Sequence, residues 1–448
     1  MKSDKDRQMS KREQLTQTPV PKLIITLAIP TIISMLVTGF YNMADTFFVG
    51  RVSTEATAAV GLVFPVMALI QAFGFFFGQG SGTFLSRMLG AGNSKEANEM
   101  AVSGFVVSLA AGVVCAIVGN VFADPLAVAI GASDTTMADT MDYMRIILIG
   151  APFMMGQFVL NNQLRFQGSA MYSMAGLMCG AVVNVALDPL LILALDLGTA
   201  GAAIATVSGQ VISFLVLMAG SRHGENIRLE LKNIRINGHY LYEILNGGLP
   251  SLFRQGLAAV ATLLLNHAAK SFGGAAAVAG MSVASRALMM IASAMIGFGQ
   301  GFQPVCAYNY GAGLTGRVKE GFLFCVKYGA IFLTVFSAIM FVFAPEVIVF
   351  FRDDADVAAV GQVALRAQCV SMPLLSFTTM TNMMLQSSGK GLKASILASA
   401  RSGIFFIPAI LIMPLFMGVL GVEFAQAVAD FCAFSLSIPL AYSELKKM

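Results

Sequence analysis

Long apolar stretches broken by short polar connections run from one end of this 448-residue chain to the other. A stretch of about 20 apolar residues is long enough to cross a hydrocarbon layer of about 30 Å as a helix. Twelve can be drawn, at 23–50, 57–87, 98–122, 137–163, 169–196, 199–220, 241–270, 277–308, 318–343, 358–385, 390–415 and 419–442. The one long polar connection, Ser221 to Tyr240, falls between the sixth and seventh. The pattern predicts an all-α integral membrane protein with an N-terminal segment (1–22), an N-lobe of six helices (23–220), a linker (221–240), a C-lobe of six helices (241–443) and a short tail (444–448).

The two lobes repeat one another. Pro30, Gly78-Gln79-Gly80, Gly90-Ala91-Gly92 and Gly168 recur as Pro250, Gly299-Gln300-Gly301, Gly311-Ala312-Gly313 and Gly389, at offsets of 220 or 221 residues. Six spans per copy return the chain to its starting side. Both copies therefore share one orientation and are related by a pseudo-two-fold axis along the membrane normal, an arrangement found in secondary transporters. Glycines within spans suit close helix packing in lipid, and those in Gly90-Ala91-Gly92-Asn93 suit a turn.

Charge settles the expected orientation. Charged residues make up only 12% of the chain and mean hydropathy is +0.76, against roughly 25% charged residues in a soluble domain. The segment to Lys22 carries Lys2, Lys5, Arg7, Lys11, Arg12 and Lys22 with no apolar core or cleavage site of a signal peptide. Alternate loops on the same side collect Arg87, Lys95, Arg165, Arg222, Arg228, Lys232, Arg235, Arg317, Lys319, Lys390, Lys393, Lys446 and Lys447, while the other side has little beyond Arg51, Lys270 and Arg352. The positive-inside rule then places both termini in the cytoplasm. The net charge of +4 reads as topology, and no nucleic-acid partner is expected. Six dispersed cysteines and three scattered histidines offer no paired spacing for zinc, disulfides or nucleophilic catalysis, so no enzyme activity and no cofactor is expected.

Carboxylates at membrane depth mark ion or substrate pathways, because each costs on the order of 2.5–3.5 kcal/mol or more there. Asp45 lies about five residues from the outer end of the first span, Asp188 about eight from that of the fifth, and Thr206 about eight into the sixth. One outer-half pocket can hold all three. Asn184 and Asp188, four apart, share a helix face, as do Tyr41 and Asp45. Pro189 lacks an N–H and leaves the carbonyl of Val185 without its helical partner. Such oxygens suit a hard cation, Na⁺, held by Asp45, Asn184, Asp188 and Thr206; burial beside a second carboxylate equally suits H⁺. The alternative role is structural, a carboxylate pairing with neighbouring donors inside the bundle.

The second lobe lacks these acids: the positions matching Asp45, Asn184 and Asp188 hold Leu265, Phe405 and Ala409. It places Arg254, Arg286, Lys327 and Arg401 within its spans instead, with Glu423 and Asp430 as partners on the twelfth, which predicts a basic, partly neutralised C-lobe network or a set of packing ion pairs. The 28 methionines and 34 phenylalanines supply flexible and aromatic surfaces for apolar cations, or simply core and lipid-facing bulk.

In this order and spacing, Leu27-Ala28-Ile29-Pro30, Asp45-Thr46-Phe47-Phe48-Val49-Gly50, Ser86-Arg87-Met88-Leu89-Gly90-Ala91-Gly92-Asn93, Asn184 through Asp188-Pro189, Gly201-Ala202-Ala203-Ile204-Ala205-Thr206, Gly301-Phe302-Gln303-Pro304 and Tyr308-Asn309-Tyr310-Gly311-Ala312 resemble the bacterial branch of the MATE (multidrug and toxic compound extrusion) family. The resemblance covers the chain to Asp430. It implies an antiporter of the bacterial plasma membrane that exports small organic cations or amphiphilic drugs in exchange for Na⁺ or H⁺, expected here to act as a monomer in the lipid bilayer. It assigns the cation site to Asp45, Asn184, Asp188 and Thr206, with Tyr41 nearby. Relatives that use C-lobe acids carry them on the seventh and tenth helices, where this chain has none beyond Glu243 at the cytoplasmic end, so the C-lobe is not expected to hold the ion. A lipid-linked sugar flippase of the same superfamily is the alternative.

Overall fold

The computed structural model describes residues 10–351 and 354–448, with the side chains of 41–46 outside the description. The basic positions Lys2, Lys5, Arg7 and Arg352 lie outside the described residues.

A short helix α1 (Lys11–Gln17) precedes α2 (Val20–Val49), α3 (Thr54–Gly90), α4 (Ser94–Val121), α5 (Ala123–Ala129), α6 (Met137–Phe166), α7 (Ala170–Asp188) and α8 (Gly198–Gly220) of the first lobe. The second comprises α9 (Gly238–Gly311), α10 (Thr315–Val342), α11 (Ala344–Phe351), α12 (Ala355–Ser371), α13 (Leu374–Ser387), α14 (Gly391–Ser399), α15 (Phe406–Met417) and α16 (Val419–Leu445). No strand occurs among the described residues.

At 1.5 Å per residue the 74 residues of α9 would span over 100 Å, far more than a bilayer. The chain instead doubles back at Gly274, whose φ of 64° is open to glycine. Both ends of α9 consequently meet the same end of α3: Gly248 abuts Phe76, and Gly311 abuts Arg87. Counting α9 as two spans, and the pair α12 and α13, bent by 56°, as one, gives the twelve expected passes among the described residues. Pro373 stands at that bend and cannot continue the hydrogen bonding of the preceding turn. The fifth span of each lobe is interrupted by a π-helical turn, Pro189–Ala194 in the first and Ala400–Ile404 in the second.

The lobes meet along the halves nearest the interlobe linker. There α3 buries nearly every residue from Phe75 to Arg87, and α9 does so from Gly299 to Asn309. The helices approach too closely for side chains. A Cβ on Gly90 would strike the carbonyl oxygen of Tyr308, and one on Gly311 that of Arg87. Gly90 and Gly311 are repeat-related, as are Arg87 and Tyr308, each pair 221 residues apart, so one contact is made twice across the pseudo-two-fold axis. Gly92, by contrast, has φ +81° and serves the turn. Repeat symmetry extends to the amides: Asn161 donates to the Ser173 carbonyl at 3.1 Å, and Asn382 donates to that of Ala394 at 2.7 Å.

The segment before the first span docks as a clamp on this side. A capping box between Ser10 and Glu13 starts α1. Leu15 is buried against Gly168, while Asn309 donates to the Leu15 carbonyl at 3.1 Å and Arg317 to that of Thr18 at 2.6 Å. At its other end the Lys11 backbone N–H donates to Glu225 at 2.8 Å, and the Lys11 ammonium donates to Ser169 at 2.7 Å and to Asn226. The helix thus touches the first lobe, the linker and the second lobe together.

Gly90→Ala or Gly311→Ala should weaken this closure by about 1–3 kcal/mol, the usual cost of overpacking. Spin labels at Lys95 and Leu314 should then report longer distances by double electron–electron resonance, whereas Gly316→Ala, with open space around its Cβ, should leave the distribution unchanged. Burial lowers the Lys11 ammonium pKa to about 8, against the opposing pull of Glu225. A released lysine titrates near 10.4, so docking expels a proton between those values and becomes more favourable as pH rises from about 8 to about 10. A nitroxide at exposed Gln17 should become less mobile over that range, and Lys11→Met should remove the dependence.

Candidate cation pocket and C-lobe cavity

In the first lobe α7 and α8 cross at Gly180 and Gly209, where a Cβ on either would lie 2.6–2.7 Å from the other's carbonyl oxygen. That approach brings Asn184 against Thr206, its amide nitrogen 3.5 Å from the hydroxyl. Both line a cavity of about 40 Å³ together with Thr38, Gln157, Gln210 and Ser213. One water needs roughly 10–15 Å³ of such volume, so the space fits a bare ion or a few waters and excludes a drug molecule. Among the described residues the carbonyl oxygen of the Asn184 side chain accepts no hydrogen bond.

Asp188 follows one turn later on the same helix and is fully buried. Pro189 begins the π turn immediately after it. The expected loss of a helical partner at this proline therefore coincides with a local change of register, of the kind often found at functional sites. The cavity gathers neutral oxygens from four helices, and Thr38, Gln157, Gln210 and Ser213 went unmarked in sequence because a lone hydroxyl or amide within a span ordinarily serves helix–helix hydrogen bonding. The side chains of Tyr41 and Asp45 lie outside the described residues; the backbone of α2 continues through both.

The expected C-lobe network divides. Arg401 sits within the π turn of the fifth span of that lobe, and its Nε donates to Asp430 Oδ1 at 2.8 Å. Gln426 and Ser371 donate to the same carboxylate at 2.9 and 3.1 Å, so both of its oxygens accept hydrogen bonds. Among the described residues Arg254 does not reach an acid: it donates to Asn382 at 3.2 Å and to Ser251 at 3.3 Å. Arg254 and Arg401 nevertheless line one cavity of about 270 Å³, large enough for an organic group, with Thr378, Thr379, Met295 and Leu375 on its walls. Lys327 is not part of this cluster; it is exposed, with its ammonium 5.7 Å from the Tyr328 ring centroid. Glu423 is buried, yet its Oε2 has no hydrogen-bond partner among the described residues, so it does not neutralise either arginine. The linear spacing of charges along the helices could not separate these cases, since pairing depends on which faces of distant helices meet.

Sequence reasoning also missed the polar seam beneath the cavity. Gln79 and Gln303 exchange hydrogen bonds at 3.3 and 3.2 Å, Gln303 donates to Gln386 at 3.2 Å, and Gln386 donates to Ser251 at 2.9 Å. Arg165, only 1% exposed, donates to Gln303 at 3.1 Å, to the Gln300 carbonyl at 2.9 Å and to Asn162. Further toward the linker, Arg87 pairs with Glu243 across the lobes at 2.8 Å. Charge pattern alone places Arg87 and Arg165 among the loop cations, whereas the structure buries both at the lobe interface.

Known proteins bear out the duplicated architecture. A sequence model of the MatE family matches residues 30–190 and again 250–412. The multidrug export protein MepA of Staphylococcus haemolyticus is 27% identical over 439 residues, covering 97% of this chain and 96% of that protein. MepA of Staphylococcus aureus strain MSSA476 is 28% identical over 432 residues, covering 95% of each. A crystal structure of MATE in complex with MaL6 superposes with a TM-score of 0.92 at 28% identity, over 98% of this chain and 100% of that one. An outward-facing multidrug resistance MATE family transporter of the MOP superfamily gives 0.92 at 29% identity, again over 98% and 100%. With both halves matched in order and the whole twelve-pass bundle shared, this multi-pass membrane protein belongs to the MatE family of MATE transporters.

Proposed function

We propose that this protein exports amphiphilic drugs and organic cations from the bacterial cytoplasm by alternating access, in exchange for Na⁺ or H⁺ entering through the first lobe. Multidrug export is the activity named for the MepA relatives. The observation that carries the coupling reading is the ion-sized cavity at Asn184 and Thr206, one helical turn from the fully buried Asp188. In the second lobe Phe405 and Ala409 occupy the positions related to Asn184 and Asp188.

The donor set fits either ion. Asn184 offers an unmatched carbonyl oxygen, Thr206 a hydroxyl and Asp188 a carboxylate, all hard ligands suited to Na⁺. A proton needs only the carboxyls of Asp188 and Asp45, whose ionised forms disfavour one another when close. Either ion lowers the electrostatic cost of bringing the acids together and so favours a different helix arrangement from that preferred by a bound cationic drug. A ligand moves such an equilibrium only through its difference in affinity for the two states. Competition between ion and drug then links inward ion flow to outward export.

The closed side carries the linker and the basic loops, which the positive-inside rule assigns to the cytoplasm. On that reading the arrangement of α3 and α9 is an outward-facing state with its cytoplasmic exit sealed by the glycine contacts, the glutamine seam and the Arg87–Glu243 pair.

Purified protein in proteoliposomes, loaded with a fluorescent organic cation, tests the coupling under separately imposed Na⁺ and proton gradients. Asp188→Asn and Asp45→Asn should each lower gradient-driven transport at least about tenfold, with folding checked by circular dichroism. Asn184→Ala should lower transport driven by Na⁺ far more than transport driven by protons. Undiminished transport in both aspartate variants would remove the ion from this pocket.

A further inference from the structure

The C-lobe cavity is built for a charge opposite to that expected of an exporter of cations. Of the charged groups lining it, Arg401 shares its charge with Asp430 at 2.8 Å, whereas Arg254 meets only the neutral oxygens of Asn382 and Ser251. A guanidinium carries five N–H donors, and these two contacts leave most of them for another acceptor. The groups behind Arg254 offer no acid: Ser251 accepts from Gln386, Gln386 accepts from Gln303, and Gln303 accepts from Arg165. That chain therefore ends on a second guanidinium, itself held by neutral oxygens and almost wholly buried. Among the described residues Asp430 is committed to Arg401 and Glu243 to Arg87, and Glu423 makes no ion pair with either cavity arginine.

We propose that Arg254 and Arg401 form a subsite for the anionic head of an amphiphile, a carboxylate or sulfonate, with its apolar body against Met295, Leu333, Leu375 and Met383. The volume of about 270 Å³ admits a head group and a ring system, and the cavity wall supplies hydroxyls from Thr378, Thr379 and Ser402 for the remaining oxygens. An arginine fork matches a planar carboxylate with two parallel hydrogen bonds. The apolar wall raises the value of that interaction by excluding water. The subsite thus extends the export reading to a substrate class, and takes from that reading only the entry of amphiphiles between the lobes.

Equilibrium binding to the full-length protein in lipid nanodiscs separates this proposal from ion coupling, because no gradient is involved. The probes are a fluorescent diethylaminocoumarin carboxylate and its ethyl ester, which share the ring system and differ in the anion and the ethyl group that masks it. The native protein should bind the carboxylate at least about tenfold more tightly than the ester. Arg254→Gln should lower carboxylate affinity about tenfold, or roughly 1.4 kcal/mol, and leave ester affinity within about twofold. Arg254→Lys should retain part of the preference, which reports charge with the fold intact. Thr378→Asp keeps both arginines and places an internal anion on the cavity wall; it should depress carboxylate binding while sparing the ester. Equal binding of the two probes by the native protein, or equal loss of both in Arg254→Gln, overturns the subsite. A failure of coupling in the aspartate variants of the first lobe leaves this result untouched.

Discussion

Everything on the linker side of the molecule depends on two backbones touching without side chains between them. Gly90 rests on the Tyr308 carbonyl and Gly311 on that of Arg87. In lipid no water is expelled when helices meet, so association rests on dispersion contacts and hydrogen bonds that act only at short range. A contact made twice about the pseudo-two-fold axis aligns the two halves of the bundle and brings Gln79 within reach of Gln303. It also sets Arg87 opposite Glu243. With thicker residues at positions 90 and 311 the polar groups of the seam would be held apart, and buried amides without partners are expensive. Small residues come first in this arrangement; the hydrogen bonds are their consequence.

The architecture was largely legible in the pattern of residues. Apolar runs of membrane-crossing length marked the passes, and recurring glycines at a constant offset marked two lobes of equal orientation. The helical break at Gly274 and the bend near Pro373 changed the boundaries of single helices without changing the number of passes. Close packing at Gly90 was harder to see, because the same short motif contains Gly92, which does form the expected turn. One motif serves both ends, and spacing cannot assign which glycine does which.

The sites were legible to different degrees. Asn184 and Thr206 come together as depth along their helices suggested, because depth and helix face are properties a sequence carries. The remaining walls of that pocket come from residues with no unusual feature of their own. In the second lobe the charges were visible but their pairing was not. Arg401 finds Asp430, Arg254 finds only neutral oxygens, Lys327 lies outside the cluster and Glu423 meets neither arginine. Pairing between helices distant in the chain follows from rotation about each helix axis, and a single π turn alters that rotation for every residue beyond it.

Those π turns have a consequence for how the two lobes relate. A π turn is an α-helix holding one residue more than its length requires, and it occurs in the fifth span of each lobe, at Pro189–Ala194 and Ala400–Ile404. In the first lobe the N–H of Leu195 reaches back five residues to the Leu190 carbonyl at 2.9 Å, one residue further than an α-helical bond. One extra residue offsets the faces on its two sides by about 100° relative to an unbroken α-helix. Asp188 and Arg401 stand at the surplus of their respective lobes. The duplicated fold therefore offsets the two ends of the fifth span in each half, beside Asp188 in the first lobe and around Arg401 in the second.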